Sequence, residues 1–470
     1  MIRLLPALWL AAALVAAESD GTTPLHRAAQ RDDLSVAKTL LREGADAKTA
    51  NRYGVTALSL ACTNGNAAMI QTLLDAGADV NKPLPGGETP LMTASRTGKV
   101  DAVGVLLKHG ADVHAKENHR GQTALMWAAA DGHVETVQAL LAAGANPKER
   151  LNSGFTPFLF AVREGQISVA KALLNAGVNV NDVIEAPLVK SGLASGAGFP
   201  KPGTPALSLA VLNGHFEMAS VLLDQGANPN AIGPGYTALH AISWVRKPGG
   251  GDNDPAPQGS GNLTSVDMVR KLAAKGANLN ARMTKKMNVG LTGLNTTGAT
   301  PFVLAARSGD AELMRLLAKL GADPLLPTAD GSTPLIVAAG LGTRSPGEDA
   351  GTESEVVEAV EVALELGNDI NAVDNNGETA MHGAAYKNYG AVVELLAAKG
   401  ADPAVWNRSN KHGWTPLTIA RGYRFGNFKP SAVTIAALEK VMKAAGLPIP
   451  PEPKRDGGGD PNTNYAPKPR

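Results

Sequence analysis

Cysteine is nearly absent from this 470-residue sequence, which contains one, Cys62. A single cysteine excludes an internal disulfide framework and a zinc site with paired cysteine ligands, so packing must supply the stability. Aromatic residues make up only 4% of the chain. The apolar residues are mostly Ala, Leu and Val, which suit helices that approach one another closely. We expect Cys62 to be a buried and inert thiol.

An excess of either charge is also lacking. The 44 Lys and Arg residues balance 43 Asp and Glu residues, which gives a net charge of +1. This balance offers no electrostatic footprint for nucleic acid and no polybasic membrane patch. The chain carries no Gly-x-Ser-x-Gly elbow, no phosphate-binding Gly-Lys-Ser/Thr loop and no His-Glu-x-x-His motif. The sequence therefore predicts no enzyme, no cofactor, no metal site and no nucleic-acid partner.

The N-terminus has the pattern of an export signal. Arg3 precedes an almost entirely apolar run from Leu4 to Ala17, small residues stand at Val15-Ala16-Ala17, and Glu18 follows. The run is too short to span a bilayer comfortably, which favours a cleaved signal peptide over residues 1–17 rather than an uncleaved anchor. We expect an exported protein, periplasmic or extracellular, without stable membrane insertion once the signal is removed.

Two short strings recur along the rest of the chain. The first is typified by Thr23-Pro24-Leu25-His26 and the second by the Leu40–Asp46 segment with its glycine, Gly44. Copies of the first string begin at Thr56, Thr89, Thr123, Thr156, Thr237, Thr300, Thr333, Thr379 and Thr415, with a shifted copy around Pro205. The glycine of the second string recurs at Gly77, Gly110, Gly144, Gly177, Gly226, Gly276, Gly321, Gly367, Gly400 and Gly446. These make eleven copies.

Each string has a physical meaning. Thr followed by Pro starts a helix, because the Thr hydroxyl caps free N–H groups and Pro lacks an N–H that would be unsatisfied there. A glycine such as Gly65, Gly98 or Gly132 ends this first helix. A second amphipathic helix follows, for example from Val134 to Ala142, and closes on the glycine of the second string.

This pattern resembles the ankyrin repeat, a helix pair with an extended finger of about 33 residues in total. The resemblance implies an all-α solenoid of about eleven helix-turn-helix repeats over residues 18–446. It also implies that His26, His240 and His382, in the fourth position of the first string, hydrogen-bond the capping threonine.

The repeat spacing is regular in repeats one to five and is broken later. Insertions are predicted near residues 185–202 and 283–296 in fingers, and near 247–262, 342–354 and 422–431 between the helices of repeats seven, nine and eleven. Two interpretations stay open: the insertions bind a partner, or they drift as tolerated surface loops. Residues 447–470 are rich in Pro and Gly and predict a flexible tail.

The resemblance further implies a protein partner bound by the concave surface of fingers and first helices. The residues that this places on the surface are Arg52, Tyr53, Arg96, His119, Arg120, Asp131, Phe155, Arg163, Tyr386 and Trp414, whereas Trp127 is expected in the core. We expect a monomeric, bacterial interaction scaffold. The alternatives are a secreted effector acting on a host protein, an envelope structural protein, and an enzyme with its site in the insertions.

Overall fold

The computed structural model describes residues 18–185, 201–248, 257–287, 292–424, 426 and 429–452. The predicted signal peptide and residues 453–470 of the predicted tail lie outside these ranges. Parts of the predicted insertions near residues 185–202, 247–262, 283–296 and 422–431 lie outside them as well.

The described residues form eleven helix pairs, as the repeat predicts, and one additional short helix. The first helices are α1 (Pro24–Gln30), α3 (Ala57–Asn64), α5 (Pro90–Thr97), α7 (Ala124–Ala130), α9 (Pro157–Arg163), α11 (Ala206–Leu212), α13 (Ala238–Arg246), α15 (Pro301–Arg307), α17 (Pro334–Ala338), α19 (Ala380–Lys387) and α22 (Pro416–Ala420). The second helices are α2 (Leu34–Arg42), α4 (Ala67–Asp75), α6 (Val100–Lys108), α8 (Val134–Ala142), α10 (Ile167–Asn175), α12 (Phe216–Asp224), α14 (Ser265–Ala274), α16 (Ala311–Lys319), α18 (Glu353–Glu365), α20 (Gly390–Ala398) and α23 (Ala432–Ala444).

The first helices begin as the sequence predicts. Thr89 is the N-cap of α5, where its hydroxyl oxygen accepts a 3.3 Å hydrogen bond from the Met92 N–H, and Pro90 occupies the first helical position. Gly65 and Gly98, with φ of 73° and 69°, end α3 and α5 in the left-handed conformation that glycine tolerates best. The local code of threonine, proline and glycine therefore sets the length of these helices.

The capping histidines do what the resemblance implies, and they also join neighbouring repeats. His26 Nδ1 lies 2.7 Å from the Thr23 hydroxyl oxygen, and His26 Nε2 lies 2.9 Å from the carbonyl oxygen of Val55 in the next repeat. His240 makes the same two contacts with Thr237 (2.9 Å) and Ala299 (3.2 Å). Each histidine thus fixes a helix start and ties it to the following finger.

The chain divides into two compact units, residues 1–209 and 210–470. In the first unit, the first helices α1, α3, α5, α7 and α9 pack on one another in order, and the second helices form a parallel row beside them. In the second unit, α13, α15, α17, α19 and α22 pack in the same sequential way. Within each unit, neighbouring repeats bury their apolar faces against one another, as expected for a solenoid.

Two details differ from the sequence prediction. The insertion predicted near 342–354 ends inside a helix, because α18 begins at Glu353 and runs for 13 residues, where α2 has nine. The finger after Gly400 contains the short helix α21 (Pro403–Trp406), whose N-cap is Asp402. Asp followed by Pro is itself a helix-start signal, and it acts here over one turn.

Cys62 is fully buried in α3, where burial raises the pKa of its thiol. Cys62 is thus buried, as predicted from the sequence. In the part of the chain that the structure describes, every helix is too short or too polar to cross a bilayer.

Candidate partner-binding surface

The finger surface, as we name it, consists of the finger tips and the last turns of the first helices. A recurring contact builds it: the residue just before the capping position touches the residue eight places later. Such a pair spans about two helical turns, roughly 10 Å, so both side chains must be long. The pairs are Glu88 with Arg96 (3.7 Å between charged atoms), Phe155 with Arg163 (5.3 Å from ring centroid to guanidinium), Tyr236 with Trp244 (5.0 Å between centroids) and Glu378 with Tyr386 (3.1 Å).

Arg52 and Tyr53 form the first exposed pair, at a finger tip of the first unit. The guanidinium of Arg52 lies 4.7 Å from the centroid of the Tyr53 ring and donates a short hydrogen bond to its hydroxyl oxygen. Tyr53 is 54% exposed. Both predicted residues are therefore accessible, and the cation–π contact holds them in one arrangement.

Arg96 and Trp127 form the second exposed pair. The Arg96 side chain is 52% exposed, and its guanidinium lies 5.0 Å from the centroid of the Trp127 ring on the following first helix. Trp127, which was predicted to lie in the core, is half-buried. Its ring supports Arg96 at the surface, and the Arg96 carbonyl also accepts from His133 (2.9 Å to Nε2).

Phe155 and Arg163 make a third contact, in which the arginine is partly exposed and the phenylalanine is nearly buried. Phe155 is 9% exposed, with its ring 5.2 Å from that of Phe160. The guanidinium of Arg163 covers both rings, at 5.3 and 5.0 Å, and pairs with Glu164 at 2.7 Å. Phe155 was predicted to contact a partner. Instead it supports Arg163, because the guanidinium shields its face.

His119 and Arg120 occupy an exposed finger tip that is held by a buried carboxylate. The two oxygens of Glu117 accept hydrogen bonds from the backbone N–H groups of His119 (2.6 Å), Arg120 (2.7 Å) and Gln122 (2.9 Å). Burial raises the pKa of Glu117, but these N–H groups outweigh it and leave the pKa below its usual range. Glu117 is not among the residues predicted from the sequence, and its position before a tight turn was the available signal. Asp131, at the end of α7, is exposed as well.

In the second unit, two predicted contact residues are buried. Tyr386 is 7% exposed and Trp414 is 4% exposed. The hydroxyl of Tyr386 donates to Glu378 Oε1 at 3.1 Å, and Asn410 Nδ2 donates to the same oxygen at 2.8 Å. Trp414 lies against the ring of His412, with 4.9 Å between centroids. The prediction that Tyr386 and Trp414 are surface anchors is wrong, because tertiary contacts cover both.

Glu378 is the carboxyl at the centre of this buried group. It is 5% exposed, and its Oε2 atom has no hydrogen-bond partner. Burial raises the pKa of Glu378 to about 7, with Asp374 adding to the rise and Lys411 opposing it. Burial likewise raises the pKa of the Tyr386 hydroxyl. Glu378 is therefore a buried carboxyl that gives up its proton near neutral pH, whereas the Tyr386 hydroxyl keeps its proton there.

The insertion between α17 and α18, residues 339–352, covers part of the finger surface of the second unit. Its Asp349 carboxylate pairs with the guanidinium of Arg307 on α15, lies 3.6 Å from the Lys387 ammonium of α19, and accepts from the Thr343 hydroxyl at 3.1 Å. Asp349, Arg307 and Lys387 are all more than 90% buried. Burial lowers the pKa values of Arg307 and Lys387, and Asp349 partly counters both shifts.

The insertion between α22 and α23 contributes Arg424, which is completely buried. Its guanidinium donates to the carbonyl oxygens of Tyr386 and, at 3.0 Å, Thr343, and it lies 5.8 Å from the Tyr386 ring centroid. Burial lowers the pKa of Arg424 to about 10. In the described part of both insertions, Asp349 and Arg424 are therefore buried in tertiary contacts within the second unit.

The described residues contain no group of three or more His, Cys, Asp or Glu side chains that could hold a metal ion. Of the predicted contact residues, Arg52, Tyr53 and Arg96 are exposed and supported by neighbours. His119, Arg120 and Asp131 are exposed, and Arg163 is partly exposed. The structure gathers these residues on the fingers and first helices of the first unit.

Comparison with known proteins places the repeats in a family. A family model described as "Ankyrin repeats (3 copies)" matches residues 8–83, 25–117, 114–184 and 351–428, more than half of the chain. A second model, "Ankyrin repeat", matches residues 203–233 and 297–329.

Individual relatives are matched over part of their length. Mouse ankyrin repeat and SOCS box protein 16 is 31% identical over 243 residues, which are 46% of this chain and 47% of that protein. The mouse B-cell lymphoma 3 protein homolog is 31% identical over 220 residues, 46% of this chain and 40% of that protein. Protein PhlB of Serratia liquefaciens is 33% identical over 140 residues, 30% of this chain and 49% of that protein. The chain thus spans about half, or less, of the relatives it matches. Among solved structures, the human ASB11 ankyrin repeat domain is similar with a TM-score of 0.42 and 24% identity, covering 55% of this chain and 99% of that chain.

Proposed function

We propose that this chain, which belongs to the ankyrin-repeat family, is a non-enzymatic scaffold that is exported and binds a protein partner through its finger surface. Ankyrin repeat proteins typically mediate protein–protein interactions. Membership in the family does not specify the partner, because the surface residues of each member's own repeats determine what it binds. The proposal therefore depends on what this chain displays.

One observation carries the proposal: exposed arginines lie on aromatic rings at two places of the first unit, a finger tip and the last turn of a first helix. Arg52 lies over Tyr53 and Arg96 over Trp127, each within about 5 Å of the ring centroid. Arginine and aromatic residues are enriched where proteins bind proteins. Side chains held in advance by such contacts lose little conformational freedom on binding, which favours affinity.

The proposed absence of catalysis is supported by the roles that reactive side chains have in the fold. His26, His240 and His382 cap helices, and burial lowers the pKa of His240 and His382 to about 4. His240 and His382 are therefore neutral at physiological pH and are not poised to exchange protons. Cys62 is buried with a raised pKa, which disfavours the nucleophilic thiolate.

The proposed export depends on residues 1–17, whose basic start, apolar run and small residues before Glu18 fit a cleaved signal. Fractionation of the producing cell, with mass spectrometry of the N-terminus, tests it. We expect a protein that begins at Glu18 outside the cytoplasm. A cytoplasmic protein that keeps residues 1–17 would rule export out.

Affinity capture tests the binding function. Purified residues 18–470 are immobilised and exposed to the envelope fraction of the producing cell, and retained proteins are identified by mass spectrometry. We expect one retained protein that is lost when Tyr53, Arg96 and Arg120 are changed to alanine together. The matched control changes Arg42, Lys108 and Glu135, three exposed residues of second helices in the same unit, and retains the partner. Equal retention by both triple variants would contradict the finger surface as the binding face.

A further inference from the structure

Three arginines occupy one equivalent position in three repeats. Arg96, Arg163 and Arg307 each lie in the last turn of a first helix, five residues after the apolar residue of the first string. The equivalence is structural as well as sequential, because each helix starts at a capping threonine. Their surroundings nevertheless differ: the side chains of Arg96 and Arg163 are 52% and 37% exposed, while that of Arg307 is 6% exposed.

The difference at Arg307 comes from the insertion of the following repeat. Residues 339–352 separate α17 from α18, and they bring the carboxylate of Asp349 onto the guanidinium of Arg307. In the repeat that follows Arg96, only residues 131–133 separate α7 from α8. The short turn leaves the outer side of Arg96 open, where the long insertion closes over Arg307.

The second unit therefore contains an intramolecular example of what this arginine position binds. Asp349 receives the Arg307 guanidinium on one carboxylate oxygen, and its other oxygen accepts from Thr343 and faces the Lys387 ammonium. The segment of residues 339–352 thus places a carboxylate against the last turn of a first helix, where Arg307 lies. Guanidinium N–H groups donate short, charge-assisted hydrogen bonds to carboxylate oxygens, which makes a carboxylate a favourable ligand for this position.

From this comparison we infer that the partner of the first unit is an extended acidic segment of another protein, which places an Asp or Glu carboxylate on Arg96 as Asp349 is placed on Arg307. The inference depends on the proposed binding function and names the chemistry of the partner. The ring of Trp127 supports the guanidinium, and the Arg96 side chain remains 52% exposed and accessible to an incoming carboxylate.

The charges around Arg96 suit such a segment. Glu88 is the carboxylate placed nearest to it, at 3.7 Å, which is an ion pair that an incoming carboxylate can share or replace. The exposed groups on the neighbouring tips include Arg52, His119 and Arg120, while Glu117 is buried and its charge is taken up by three backbone N–H groups. Asp131 is the exposed negative group at the end of α7, and it limits how far the acidic segment extends along that helix.

Selection from a random peptide library tests the inference without knowledge of the natural partner. The protein is residues 18–470, as wild type, as Arg96→Gln, and as Arg42→Gln, an exposed arginine at the end of the second helix α2. We expect the wild type and Arg42→Gln to enrich peptides with Asp or Glu over the starting library, and Arg96→Gln to lose this enrichment. The thermal midpoint of each variant checks that it is folded.

Affinity measurements then quantify the contact. For the most enriched acidic peptide, labelled with fluorescein, fluorescence anisotropy gives the dissociation constant. Since a hydrogen-bonded pair of charged groups is disrupted, Arg96→Gln should weaken binding about tenfold or more, and Asp→Asn in the peptide should do the same. Arg96→Lys retains the charge but not the planar group, so its affinity for the peptide should fall between those of the wild type and Arg96→Gln.

The outcomes separate the two proposals. Enriched peptides that are no more acidic than the library, or acidic peptides that bind wild type and Arg96→Gln equally, overturn the acidic segment but leave protein binding intact. If no peptide is enriched and no partner is captured by the wild type, the proposed function itself fails, and the inference fails with it.

Discussion

The hydroxyl of Tyr386 donates a 3.1 Å hydrogen bond to Oε1 of Glu378, eight residues earlier in the chain. Both side chains are buried, and Asn410 from the next finger donates to the same carboxylate oxygen. In the equivalent pair of the first unit, Glu88 and Arg96 are an ion pair with an exposed arginine. The same repeat position is thus a surface contact in one unit and a buried polar group in the other.

Glu378→Gln should change how the free energy of unfolding depends on pH. Burial raises the folded-state pKa of Glu378 to about 7, above the value of about 4.3 for an unfolded glutamate. The bound proton therefore stabilises the fold fully below about pH 4, and this contribution is lost as the pH rises through 7. The variant, neutral throughout, should lack a decline on the order of 3 kcal/mol between about pH 4.5 and pH 8.

Denaturant unfolding at a series of pH values measures this effect. Glu365→Gln, a change of an exposed carboxyl at the end of α18, is the control and should follow the wild type. A Glu378→Gln profile parallel to that of the wild type would show that Glu378 is ionised in the folded protein at acidic pH.

Asp349→Asn should strongly destabilise the second unit. The change removes the carboxylate between Arg307 and Lys387, and it leaves two buried cations without that counter-charge. Breaking a buried pair in this way typically costs about 3–5 kcal/mol. Glu358→Gln, which disrupts the exposed ion pair with Arg315, is the control and should cost at most about 1 kcal/mol. Chemical denaturation compares the two, and equal small losses would mean that the buried cluster adds little to stability.

His240→Ser should separate the two roles of the capping histidines. Ser59 occupies the equivalent position in repeat two, where its hydroxyl oxygen accepts from the Thr56 N–H at 3.0 Å. A serine at 240 can therefore retain the contact with Thr237, but it is too short to reach the Ala299 carbonyl. We expect a loss of about 1–3 kcal/mol, measured by denaturant unfolding, because the buried carbonyl is left unpaired. A loss as small as that of an exposed substitution would make the contact between repeats dispensable.

The stabilising effect of His240 should also depend on pH, with the opposite sign to that of Glu378. Burial lowers the folded-state pKa of His240 to about 4, below the value of about 6.5 for an unfolded histidine. Its contribution is present above pH 6.5 and is lost as the pH falls toward 4. The difference in unfolding free energy between wild type and His240→Ser should accordingly shrink between pH 7 and pH 5. A constant difference would exclude the lowered pKa.

Gly154→Ala and Gly144→Ala should differ although their backbones are nearly alike. Both glycines have positive φ, 87° and 93°, so an alanine at either position is strained by about 1 kcal/mol. A Cβ atom at 144 meets open space, whereas one at 154 would lie 2.1 Å from the Glu185 carbonyl oxygen. We expect the thermal midpoint to fall clearly further for Gly154→Ala. Equal shifts would mean that the finger before Phe155 moves away without cost.

The sequence by itself determined the repeated part of this protein. Thr, Pro and Gly at fixed intervals act through hydrogen bonds within a few residues, so the start of α5 at Thr89 and the extent of α8 from Val134 to Ala142 follow from local spacing. The histidine caps were also readable, since His240 lies three residues from Thr237. The exposure of Arg52 and Tyr53 followed from their place at a finger tip.

Only the tertiary structure decided which members of the repeated positions face solvent. Arg307 meets Asp349 from 42 residues away, and Arg424 meets the Thr343 carbonyl from 81 residues away. Such contacts depend on how the insertions fold across neighbouring helices, and no residue spacing encodes them. The burial of Tyr386 and Trp414, and the role of Trp127 as the support of Arg96, follow from those packed surfaces. A repeat pattern sets which side chains point away from the helix pair. Whether an insertion then covers those side chains depends on contacts between residues that lie far apart in the sequence.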